Sequence, residues 1–221
     1  MKKMLVIIVI LAMILVSMII YKNIAINKNK SVNVQEVEQI EEYISKIYMW
    51  KEITKEALPT FENINNANEL WVWEVIKKNL ETYETTYEEI QQKGKELFGE
   101  KFEKQIPKEG NDSFYYDKES NKYLATEIVL DEEEDSFLLK DIEKEGEKYK
   151  VKIIEYIEDY SEENKVIIRN QQEEEIGRVS TSDSETKIKE IVKNNKERFS
   201  QKNIEIKKEK DNLVIEKVNK E

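Results

Sequence analysis

The chain contains no cysteine and no histidine, and only two prolines and five glycines. Each shortage removes a class of function. Without cysteine there are no disulfides, no thiolate chemistry and no lipidated-cysteine anchor, and either redox compartment is compatible. Without histidine the commonest general base and zinc ligand are gone, together with every Ser-His or Cys-His arrangement. Neither G-x-x-x-x-G-K-[ST] nor G-x-G-x-x-G occurs, so no loop is marked for cradling phosphate. Paired carboxylates remain, and two of them can build a glycosidase. With 47 acidic residues, some pair always lies close, so the pattern selects none. The sequence therefore nominates no catalytic residue, cofactor or metal ligand, and it reads as a non-enzyme.

Positive charge is also scarce where the chain is soluble. Residues 31–221 carry all 47 acidic residues against 31 basic ones, a net −16. That field repels nucleic acid and anionic lipid headgroups and favours solvation. About 190 residues are enough to bury a core, and regular apolar positions in each segment argue for a folded chain.

Charge is missing altogether from Met4 to Ile20, an apolar run of 17 residues behind Lys2 and Lys3. As a helix it spans roughly 25 Å at about 1.5 Å per residue, the short end of what crosses a hydrocarbon core. Tyr21 and Lys22 extend it into the interface. The competing reading is a cleaved signal peptide. The run exceeds a usual h-region, and the nearest cleavage candidate, ending at Ala25, has Asn23 where a small residue is wanted. Residues 1–21 thus read as a single-pass signal-anchor and 22–33 as a tether. Three residues before the run favour an internal N-terminus and an extracytoplasmic domain. Lys22, Lys28 and Lys30 nearly balance Lys2 and Lys3, which keeps the reverse orientation open.

Beyond the tether, Asn33 and Glu36 form a capping-box pattern. Val37, Ile40, Ile44 and Ile47, prolonged by Trp50, Ile53 and Ala57, predict a helix over 34–57. Trp73, Ile76, Leu80, Tyr83, Tyr87, Ile90, Gly94 and Leu97 alternate steps of three and four. They predict a helix over 69–98 that Thr85 and Thr86 can split. The simplest arrangement is an αα-hairpin over 34–106; a coiled coil between copies is the sharper alternative.

From 107 onward the period changes to two. Strands are expected at Phe114–Asp117, Tyr123–Leu130, from Phe137, at Tyr149–Ile157 and at Val166–Ile168. A helix follows over 184–199, then a hairpin of Ile204–Ile206 and Leu213–Val218. Residues 107–221 then form an antiparallel meander with a C-terminal helix and hairpin, packed with 34–106 as one α+β domain. In layout alone this resembles the cystatin-like or NTF2-like cone.

The acidic run Asp131-Glu132-Glu133-Glu134-Asp135 has the oxygens for Ca²⁺ but not the spacing of an EF-hand loop; it reads as a solvated hairpin loop, as does Glu173-Glu174-Glu175. Dense aromatics in the helical half mark either a core or a surface for a ligand or protein partner. Trp71, Trp73, Tyr83, Tyr87 and Trp50 are the candidates. Trp71, Val72 and Trp73 are consecutive, so at least one is expected to leave the core. Asp159 and Tyr160 are placed to rim such a pocket. The expected function is a membrane-anchored, extracytoplasmic binding or interaction module. The alternatives are an oligomeric envelope component built on the 69–98 helix and a carboxylate-dependent envelope hydrolase.

Overall fold

A computed structural model describes residues 32–126, 133–182 and 185–221. The run Met4–Ile20, most of its tether, and Asp131 and Glu132 lie outside the described residues. Among the described residues no helix is long and apolar enough to cross a membrane.

Helix α1 (Val34–Ile47) begins as the capping box requires. Asn33 Oδ1 accepts from Glu36 N at 2.9 Å, and Glu36 Oε2 accepts from Asn33 N at 3.1 Å. Its end falls ten residues before the expected 57. Tyr48 turns extended, and one short turn, α2 (Lys51–Thr54), follows. The last carbonyls of a helix need partners from elsewhere, and here α3 (Glu69–Lys78) supplies them. Lys78 Nζ reaches Ser45 O (3.0 Å) and Tyr48 O (2.8 Å), Asn79 Nδ2 reaches Lys46 O (2.8 Å), and Trp71 Nε1 donates to Ile47 O (3.1 Å). The Trp71 indole also lies 3.1 Å from Ala57 O, pinning the loop that follows α2.

The expected 69–98 helix is two helices. After α3, the chain forms β1 (Glu84–Thr85) and restarts as α4 (Tyr87–Phe98). The restart is a second capping box: Thr86 Oγ1 accepts from Glu89 N, and Glu89 returns to Thr86 N. A continuous heptad seam therefore does not exist. Gly94 on that seam is where the Phe102 ring packs, too close for any side chain.

Strands β2 (Phe114–Asp117) and β3 (Lys122–Ala125) do not join the meander. They form a separate antiparallel sheet with β1, in the order β1-β3-β2. The main sheet comprises β4 (Glu133–Glu145), β5 (Lys148–Asp159), β6 (Lys165–Arg169), β7 (Glu175–Ser180), and, after α5 (Glu185–Asn194), β8 (Ser200–Glu209) and β9 (Asn212–Lys220). Every pairing is antiparallel, so the domain is α+β. Strand β7 was not expected, and α5 stops short of 199 because a 3-10 turn over Lys196–Arg198 leads straight into β8.

Strand β5 organises this sheet. One edge pairs with β4 throughout. The other is shared: β8 pairs with Lys148–Glu155 and β6 with Ile157–Asp159. The sheet forks between Glu155 and Ile157. Side chains alternate across β5, so its faces serve two cores. Tyr149, Val151 and Ile153 face the helices α1, α3 and α4. Ile154 and Tyr156 face α5 through Ile188 and Val192.

Among the described residues, β4 pairs on one side only. A register shift between Leu139 and Asp141 bulges it, and Lys140 and Lys144 stand along it. Bulges and lysines are the devices by which natural edge strands resist further pairing.

Trp71→Phe keeps a buried ring but leaves the Ile47 carbonyl without its donor, while Ala57 O keeps the Met49 amide. We expect a loss of about 1–3 kcal/mol, the usual cost of an unsatisfied buried group, read from urea unfolding of the full-length chain. Trp71→Ala should cost about 3–5 kcal/mol.

Candidate functional site

From Tyr149 to Ile157, one face of β5 is apolar at every position except one. Tyr149, Val151, Ile153 and Ile157 are interrupted by Glu155, which is 3% exposed. On β8 the residue paired with Ile153 is Lys202, also 3% exposed. The two charges are diagonal neighbours on one face, and Lys202 Nζ lies 3.1 Å from Glu155 Oε1. Lys202 also donates to Leu58 O, and Glu56 Oε2 is 3.7 Å away. Taking two charges out of water costs several kcal/mol each, and geometry this close is needed to offset it.

Tyr48, turned out of α1 by the helix stop, covers this pair. Its hydroxyl lies 3.3 Å from both Glu155 Oε1 and Ser136 O, and its ring packs 5.1 Å from that of Phe137. Burial, then the nearby Glu155 and Asp135 carboxylates, hold the phenol well above its ordinary pKa. Asp135 accepts from Lys51 N at 2.6 Å. Burial raises its carboxyl pKa despite the Lys51 amide and ammonium, and Glu155 adds to the rise. The acidic run is thus no free loop where it is described. Glu133, Glu134 and Asp135 open strand β4 and pair with Asp159, Glu158 and Ile157.

Two crevices flank this group and share Tyr48 and Asp135 as a wall. The narrower, about 160 Å³, lies at the fork and is lined by Lys51, Lys55, Glu155, Gln171, Lys202 and Lys220 among others. The wider, about 330 Å³, runs between α1, α5 and the sheet, past Trp50, Phe137, Tyr156 and Glu158. Lys78 Nζ sits 5.0 Å from the Trp50 ring centroid, a cation–π distance, and burial lowers its pKa.

The five nominated aromatics are not brought together. Trp71 and Trp73 are 0% and 1% exposed, and Val72 between them is buried too. The expectation that one must leave the core fails because α3 is enclosed on every side. Trp71 packs on Phe61 and Phe98, and Trp73 on Phe102. A helix buried all round needs no polar face. Tyr83 is 54% exposed in the turn before β1, and Tyr87 packs half-buried at the start of α4. Trp50 alone of the five lines the wider crevice. Asp159 is buried and tied to Arg169 at 2.7 Å, a strand-end ion pair, while Tyr160 is exposed and donates to Glu158.

Glu155 and Lys202 escaped sequence reasoning, although a signal was present. Each is a charge in a core-facing position of an otherwise apolar series. Among the described residues no three Asp or Glu side chains converge to hold a metal ion. Compared with known families, curated proteins and solved structures, the chain gives no match.

Lys202→Met leaves Glu155 buried without its counter-charge and should cost about 3–5 kcal/mol. Glu155→Leu combined with Lys202→Met should recover most of that loss, as urea unfolding of the two variants will show. The pH dependence of Asp135 has a definite sign. A carboxyl whose folded pKa is raised makes the ionised form a liability above that pKa, and the liability vanishes below the unfolded value. Asp135→Asn should therefore stabilise at pH 7, with the gain fading as pH falls through the acid range in thermal melts.

Proposed function

We propose that this chain is a membrane-tethered binding module. Residues 4–20 hold it in the membrane, the domain lies on the extracytoplasmic side, and a small ligand or partner enters the crevices at the sheet fork. The observation that carries this reading is the Glu155–Lys202 pair. A buried ion pair contributes less to stability than apolar side chains of the same volume. A domain that only had to fold would gain by replacing it. Placed beside a crevice lined by charges of both signs, the pair is suited to recognition. The absence of histidine, cysteine and a phosphate loop supports binding over chemistry. We carry the cystatin-like or NTF2-like layout into the same reading: helices come first, then one long antiparallel sheet that they cover on one face. Helix α5 on the other face is an addition to it.

A second reading rests on its own observation. Asp135 and Glu155 line one crevice, and burial raises the Asp135 pKa. Two carboxylates in different environments are the pattern of acid–base hydrolysis. Turnover of a glycoside panel, abolished in Asp135→Asn, would select this reading over the first.

Placement is tested by a reporter fused after Glu221 and by protease shaving of intact cells. An exported reporter and a shaved domain are expected. A reporter active only in the cytoplasm would overturn the localisation.

A further inference from the structure

The crevice at the fork brings open acceptors and open donors together. Glu155 Oε1 takes Lys202 and Tyr48, but its second oxygen receives no donor among the described residues. Asp135 Oδ2 takes Lys51 N, and its other oxygen receives none among the described residues. Gln171 Oε1 is buried without a partner. All three residues line the same space. A group that serves several such acceptors from one atom is an ammonium, which carries three N–H donors and no acceptor. On the same lining, Lys55 and Lys220 have no carboxylate within ion-pair distance among the described residues. They offer the complementary charge. The volume, about 160 Å³, is below the ~300 Å³ at which drug-sized ligands begin, so the occupant is small.

We infer that the fork crevice binds a free α-amino acid or a zwitterion of that size. Its ammonium meets the open oxygens of Asp135, Glu155 and Gln171, and its carboxylate meets Lys55 and Lys220. Neither charge alone matches the lining. A simple anion would leave the acceptors unfilled, and a simple cation would leave the lysines unanswered. Buried polar groups left unpaired by the wrong ligand are what make such a site selective. This inference deepens the binding-module reading and rests on it.

The test is calorimetric titration of the full-length chain in mild detergent. The probes are glycine, L-alanine, L-serine, L-aspartate and L-lysine, each with its N-acetyl and amide derivative. At least one free amino acid should bind saturably, and both of its blocked forms at least tenfold more weakly. Asp135→Asn should weaken binding tenfold or more. Lys55→Asn should do likewise without unfolding, because asparagine tolerates the left-handed backbone at that position (φ 66°). An amide that binds as tightly as the free amino acid would make this a cation site. An N-acetyl form that does so would make it an anion site. Either result overturns the zwitterion and leaves the binding module standing. No saturable heat from any probe, with the near-ultraviolet circular dichroism of the folded chain intact, also overturns it. The wider reading falls as well only if a chemically diverse small-molecule library and a cross-linking search for protein partners are equally silent.

Discussion

The capture of the α1 C-terminus by α3 sets the rest of the domain. Four carbonyls, from Ser45 to Tyr48, are taken by Lys78, Asn79 and Trp71. A helix whose terminal carbonyls already have partners has no reason to continue. Its stripe does continue in the sequence, through Trp50 and Ile53, yet the chain turns at Tyr48. That turn delivers three things to one place: Tyr48 over Glu155, Lys51 N against Asp135, and Trp50 along the wider crevice. The crevices are thus a by-product of how one helix is stopped.

The second constraint is the fork in the sheet. Strand β5 exchanges one neighbour for another between Glu155 and Ile157. Where two strands part, the backbone no longer fills the gap and side chains must. The charged pair stands beside that gap, walled by Tyr48 and the loop after α2. Open sheets with parallel strands place ligands where neighbouring strands diverge, and the same geometric opportunity arises here in an antiparallel sheet.

Much of this was legible in the residues, and the failures are instructive. The capping box at Asn33, the strand of Phe114–Asp117 and the long alternation of β5 were read from local chemistry, which decides them. The helix over 69–98 divides at the threonines that the sequence marks as able to split it: its apolar period runs unbroken across Leu80–Thr86, but Thr86 and Glu89 hold a capping box at the restart. The Trp71-Val72-Trp73 triplet was misread because one-sided burial was assumed, and only tertiary packing makes α3 central. Glu155 falls inside the expected strand Tyr149–Ile157, where it is the one charge on the core-facing side. Lys202 is the charged member of an apolar series with Ile204 and Ile206, but its partner on β5 lies across a connection of forty residues. Local patterns give elements; long-range partners give the site.

Strand β4 is thirteen residues long, and its outer edge carries a bulge and two lysines. An edge of that length, left smooth, would invite a neighbour's strand whenever copies crowd together. Its irregularity disfavours strand addition along that side. An edge broken in this way offers a second copy no straight ladder to extend.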